Sequence, residues 1–120
     1  MSIGDHVSAT RVHFETHDGG LWVFREKYPT WDIIAKIKIG NNVYIGHNVT
    51  ILPGVTIGDN IVIGACSVVS KDLDSNAVYA GIPARKLRNL DSYFEKCKSK
   101  AIETKFLTKE EKEFFLRDNL

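Results

Sequence analysis

The chain has 120 residues, 43% hydrophobic and 26% charged, with 16 basic and 15 acidic side chains for a net charge of +1. That is the composition of a single globular domain, and it excludes a disordered chain and a strongly basic nucleic-acid footprint. No apolar run approaches the roughly 18 residues needed to span a bilayer, and no secretory pattern opens the chain. Two cysteines, Cys66 and Cys97, are too few for a disulfide framework and lack metal-ligand spacing, which reads as a cytoplasmic protein with reduced thiols and no metal. All nine glycines and all three prolines precede residue 85. Residues 1–84 carry a net charge of −2 and residues 85–120 a net charge of +3, so a glycine-punctuated body leads into a basic tail without breakers.

In chain order the first elements are two six-residue sides, IGDHVS (3–8) and ATRVHF (9–14). Residues 15–32, ETHDGGLWVFREKYPTWD, interrupt them, and IIAKIK (33–38) supplies the third side. From Ile39 the blocks run IGNNVY, IGHNVT, ILPGVT, IGDNIV, IGACSV and VSKDLD. The first position is Ile39, Ile45, Ile51, Ile57, Ile63 and Val69, always a β-branched aliphatic. The fifth is Val43, Val49, Val55, Ile61, Ser67 and Leu73, apolar or small. Glycine holds the second position in four of the six blocks.

A period of six suits neither a helix nor a two-faced strand. It fits short strands joined by tight corners, with positions one and five inward, and with glycine, Asn and Asp at the corner positions. Three sides close a coil of 18 residues, in which Ile39 stacks on Ile57, Ile45 on Ile63 and Ile51 on Val69. Each coil needs its neighbour to bury its aliphatics. Subtracting one coil and the 18-residue insertion places Ile3 above Ile39; Ala9 and Arg11 fit this register poorly. The expected core is three coils, residues 3–74. Residues 75–87 then leave the barrel. Ser92 with Glu95, and Thr108 with Glu111, are capping-box patterns that predict a helical tail over its lower end.

An 18-residue loop without structure of its own is uncommon unless functional. This one holds both tryptophans, two adjacent glycines and His17 beside a carboxylate. Taken alone, His17 reads as a solvated loop histidine.

The hexapeptide pattern resembles that of the left-handed β-helix acyltransferases. The resemblance implies an all-β core, a left-handed parallel β-helix of about three 18-residue coils. Residues 1–88 form the acyltransferase domain with loop 15–32 inserted, and residues 89–120 its helical tail. Handedness comes from the resemblance, since the ordinary crossover rule favours the right hand. In the galactoside, xenobiotic and capsular-sugar O-acetyltransferases an extended loop leaves a coil at this point and carries the catalytic histidine at its start. Phe14-Glu15-Thr16-His17-Asp18-Gly19-Gly20 looks like that feature.

The implied activity is acetyl-CoA-dependent O-acetylation of a sugar or other small hydroxyl acceptor by direct transfer. Neutral imidazole, with a reference pKa of about 6.5, suits removal of a hydroxyl proton near neutral pH. Glu15 or Asp18 would orient the His17 ring. The cofactor residues implied are His47, and Ala65 one coil below it, for the pantetheine arm. Ser70 and Lys71 in VVSKD match the family's TKD turn, and Arg85 and Arg88 in GIPARKLR match basic positions that meet the nucleotide phosphates. The resemblance also implies a homotrimer with sites between subunits.

His6 reads as an exposed corner residue, His13 as an inward fifth-position residue, and Cys66 as structural. Trp22, Phe24, Tyr28 and Trp31 read as loop packing. Two other readings compete. A γ-type carbonic anhydrase has Gly46-His47 in its favour, but Leu52 and Pro53 stand where its second histidine would fall. A non-catalytic trimeric scaffold fits a chain that starts close to its first coil.

Overall fold

The recurring inward aliphatics fold the body into a three-faced solenoid of short strands. The computed structural model describes residues 1–119. The first face is β1 (Ser2–Ile3), β4 (Lys38–Ile39) and β7 (Thr56–Ile57). The second is β2 (Val7–Ala9), β5 (Val43–Ile45), β8 (Ile61–Ile63), β10 (Ala77–Ala80) and β11 (Arg85–Asn89). The third is β3 (His13–Phe14), β6 (Thr50–Ile51) and β9 (Val68–Val69). Every pairing is parallel except β10 with β11.

Ile39 lies against Ile57, Ile45 against Ile63 and Ile51 against Val69, with Ile3 against Ile39, as the six-residue register predicts. These rungs, with Val43, Val49, Val55 and Ile61, form the buried core, and all but the outermost, Ile3, are almost fully shielded. Each buried Ile or Val contributes about 1.5–3 kcal/mol.

The corners have a common backbone. In six of the sides the fourth position, His6, Asn42, Asn48, Gly54, Asn60 and Cys66, lies in the left-handed region, with φ between 55° and 81°. Asn and Gly tolerate that region best. Asn side chains also link the coils: Asn42 Nδ2 donates to Asn60 Oδ1 at 2.8 Å, and Asn60 Nδ2 to Asn76 Oδ1 at 3.0 Å. The second-position glycines do not take the left-handed region and answer a different need. A Cβ on Gly46 would sit 2.5 Å from the backbone nitrogen of Ala65 in the coil below.

The register differs from the sequence expectation at both ends. Ala9 lies opposite Ile45, yet His13 lies opposite Thr50 and Phe14 opposite Ile51. The corner at Thr10 and Arg11 is therefore one residue short, and Arg11 takes the left-handed conformation at φ 54°. Val12, not His13, packs inward; His13 is exposed. Phe14 rather than Ile33 covers Ile51, and Ile33 stays exposed.

After Val69 the next corner is two residues short, so Leu73 pairs with Ile57 and not with Val55. Residues 77–79 then pair with Ile61–Ile63 as a further rung, so 75–87 does not leave the solenoid at once. The chain turns at Gly81–Ala84 and returns as β11.

Helix α1 (Leu90–Lys98) continues straight from β11 and packs on β10 and β11. Ser92 lies inside it and does not cap it, because Leu90 N donates to Asn76 O at 3.0 Å and starts the helix earlier. The Tyr93 phenol is raised above its ordinary value, chiefly by a hydrogen bond with Cys97, then by burial and by the Cys97 and Tyr44 charges. Helix α2 (Lys109–Asn119) opens with the expected box, Thr108 Oγ1 accepting from Glu111 N at 3.2 Å and Glu111 Oε1 from Thr108 N at 3.3 Å. No helix among the described residues is long and apolar enough to cross a membrane.

Glycine roles separate by substitution. Gly46→Ala is expected to destabilise the fold by about 1–3 kcal/mol in chemical denaturation, the scale of an overpacked core. Gly19→Ala, where a Cβ meets nothing within 4 Å, should fall within about 0.5 kcal/mol of wild type. Equal effects would contradict the close coil-to-coil approach.

Candidate functional site

The loop starts at the edge of the third face. Glu15 N donates to Ile51 O at 2.9 Å, and the chain then leaves the coil. Its two legs form an antiparallel stem: Asp18 N donates to Ile33 O at 3.0 Å and Ala35 N to Thr16 O at 2.9 Å, with His17 opposite Ile34. A 3-10 helix over Gly19–Phe24 follows, capped by Asp18 Oδ1, which accepts from Gly20 N at 2.8 Å. The Arg25 guanidinium donates to Pro29 O at 3.1 Å and Trp31 O at 2.7 Å, and the Tyr28 and Trp31 rings stack with centroids 3.7 Å apart. The loop is thus built structure, while Trp22 and Ile34 remain 75% and 64% exposed.

His17 stands at the root of this stem, exposed, with Nδ1 3.2 Å from Thr16 Oγ1. When Nδ1 carries the proton and donates it to Thr16, Nε2 presents its lone pair to an incoming hydroxyl. Among the described residues neither Glu15 nor Asp18 hydrogen-bonds to the ring; Asp18 is committed to Gly20.

Ser70 and Lys71 lie at the same edge of the third face. Leu52 N donates to Val69 O at 3.0 Å as Glu15 N does to Ile51 O, so Glu15, Leu52 and Ser70 form one column. Ser70 and Lys71 are exposed two coils below the root of the loop.

His47 and Ala65 occupy the opposite edge of that face. Cys66 N donates to His47 O at 3.0 Å, which sets Ala65 one coil beneath His47, both exposed. Arg85 and Arg88 lie on β11, opposite Ala80 and Val78. The preceding turn is pinned under the third face: Val68 N donates to Gly81 O at 3.0 Å, Ala84 N to Val68 O at 2.9 Å, and buried Ser67 Oγ accepts from Gly81 N at 3.0 Å.

A single chain therefore brings His17, Ser70 and Lys71 to one edge and His47 and Ala65 to the other, with the strands of the third face between them. His6 bonds Asn42 Oδ1 through Nδ1 at 2.7 Å in the corner ladder. Among the described residues no group of three His, Cys, Asp or Glu side chains could hold a metal ion.

Sequence reasoning passed over one feature beside His47. Ser8, Thr10, Arg11, Tyr44, Ile45 and His47 line a depression of about 370 Å³. The signal was the poor fit of Ala9 and Arg11 to the six-residue register.

A parallel coil of three faces, six residues to a side, defines a hexapeptide-repeat solenoid. The family model for the bacterial transferase hexapeptide (six repeats) matches residues 36–71. The protein CapG of Staphylococcus aureus is 50% identical over 117 residues, which cover 97% of this chain and 68% of that protein. The chain belongs to the bacterial hexapeptide-repeat transferase family.

Among solved structures, a galactoside acetyltransferase in complex with coenzyme A is 39% identical with a TM-score of 0.65, over 87% of this chain and 50% of that one. A maltose O-acetyltransferase from Clostridium difficile is 32% identical with a TM-score of 0.61, over 73% of this chain and 58% of that one. The chain thus spans half of one of these enzymes and 58% of the other.

Proposed function

We propose that the protein is a cytoplasmic, acetyl-CoA-dependent O-acetyltransferase acting on a sugar or other small hydroxyl acceptor, with coils winding left-handed as in its relatives. The observation that carries this reading is the position of His17. It sits at the root of an ordered loop, with a ring nitrogen free, on the edge of the face that also carries Ser70 and Lys71. The likeness to a galactoside acetyltransferase in complex with coenzyme A supports the donor.

In this mechanism His17 Nε2 takes the proton of the acceptor hydroxyl as its oxygen attacks the thioester carbonyl carbon. Backbone N–H groups stabilise the oxyanion that forms. As the intermediate collapses, the carbon–sulfur bond breaks and the imidazolium returns the proton to the departing thiolate, giving the acetyl ester and free CoA. Thr16 holds the ring through Nδ1, while Asp18 and Glu15 shape the root of the loop. The pantetheine arm lies along Ala65 and His47. Ser70, Lys71, Arg85 and Arg88 meet the nucleotide, where guanidinium and ammonium groups suit phosphates.

Bringing the two edges of the third face together requires His17 of one copy to approach the Ala65–His47 edge of the next, an arrangement that a homotrimer repeats three times. The exposed Trp22 and Ile34 of the loop are the apolar surface that such an association covers. Sedimentation at micromolar concentration should give three times the 13.5 kDa chain mass; a monomer there would remove the shared site.

His17→Ala should lower kcat by two or more decades, within the roughly 10²–10⁴ of general-base catalysis, with CoA affinity within about twofold of wild type. Undiminished kcat would refute the role. Arg85→Glu should weaken CoA binding by about 1–3 kcal/mol in calorimetry, less at high salt because the pair is exposed and screened. If wild type binds no CoA, the protein is a scaffold and not an acyltransferase.

A further inference from the structure

The corner above His47 is unlike those beneath it. It is one residue short, and Arg11 holds the left-handed conformation at φ 54° that Asn48 and Cys66 hold in the coils below. Asn48 N donates to Arg11 O at 2.8 Å where, one coil lower, Cys66 N donates to His47 O, so Arg11 has the backbone of Asn48 but stands over His47. Asparagine or glycine relieves that backbone and arginine does not, so a long cation stands here against local preference.

What surrounds Arg11 gives the cation a use. The depression of about 370 Å³ is lined by Ser8, Thr10, Arg11, Tyr44, Ile45 and His47, residues that carry three hydroxyls, a guanidinium and an imidazole and no carboxylate. Its size is at the small end of ligand pockets, about 300–1,000 Å³. Tyr44 is 52% exposed, and its ring offers a flat apolar surface in a lining that also holds the hydroxyl residues Ser8 and Thr10. An aromatic face with hydroxyl partners fits a sugar ring, and a guanidinium fits a carboxylate or phosphate in two parallel hydrogen bonds.

We propose that this notch is the acceptor subsite and that it selects an anionic sugar, whose carboxylate or phosphate pairs with Arg11. Its role in catalysis rests on the acyl-transfer reading above; the binding itself does not. Ala65, His47 and Arg11 climb one corner, so a pantetheine arm that follows it ends at Arg11. The acceptor hydroxyl then meets the thioester where the neighbouring copy presents His17.

The test is calorimetry or ligand-observed NMR on the full chain at low salt with three probes: glucuronate, glucose 6-phosphate and glucose. At least one anionic probe should bind roughly tenfold tighter than glucose, the scale of a charge-assisted pair, and which one does so separates carboxylate from phosphate. Arg11→Asn suits the left-handed backbone and should abolish that preference, with glucose binding and CoA binding each within about twofold of wild type. The proposal falls if both anions bind no better than glucose, or if Arg11→Asn keeps the preference. It also falls if that variant weakens CoA binding tenfold, which would assign Arg11 to the donor. Anion-selective binding without any CoA binding would uphold the notch and refute acyl transfer; CoA binding without anion selectivity would do the reverse.

Discussion

The stacking of Ile39 on Ile57 and of Ile45 on Ile63 brings successive coils close enough that no other corner atom can stand between them. That approach demands glycine at Gly46, whose Cβ would otherwise meet the Ala65 backbone, and a left-handed residue two positions on. The polar ladder from Asn42 through Asn60 to Asn76 then satisfies corner groups that stacking brings together. Because each rung fixes the one above, a surface residue on one coil stands over its counterpart on the next. Columns such as Glu15, Leu52 and Ser70, or His47 and Ala65, follow from the core without further design.

The period made the rungs from Ile39 to Val69 legible from the sequence, since a β-branched aliphatic recurs at every sixth position and nothing else explains it. Corner lengths were not legible. Dropping one residue at Thr10 and Arg11, or two after Val69, keeps the alternation within each flanking strand, so only a break in the six-residue count marks the slip. Ala9 and Arg11, poor fits to that count, hinted at the first. The second moved Leu73 from beneath Val55 to beside Ile57 and made residues 77–80 a further rung. At α1 a tertiary bond from Leu90 to Asn76 outweighed the local capping signal of Ser92 and Glu95. At α2, where no other element intervenes, the capping signal of Thr108 and Glu111 decided the start.

The candidate site was legible as residues and not as geometry. His17 and the Ser70–Lys71 turn could be singled out, and both lie on one edge of the third face. That His47 and Ala65 lie on the other edge follows from the fold, and whether the edges meet depends on how copies associate, which no periodicity in one chain encodes. The loop bounds 15–32 came close to the observed stem, 16–18 against 33–35. Its internal order did not show in the sequence, because it depends on Arg25 reaching two backbone carbonyls and on one stacked aromatic pair. Thr16 beside His17 is a contact that spacing alone gave no reason to prefer over a carboxylate.

We propose above that the third face and its two edges form the donor groove of an acyltransferase shared between copies. A crystal structure of the chain grown with CoA would show whether they do. The expected result is a trimer with the pantetheine arm along Ala65 and His47, the phosphates at Lys71, Arg85 and Arg88, and the thiol within reach of His17 from the adjacent copy. CoA bound at another surface, or a trimer whose third face is closed off from the ligand, would contradict it.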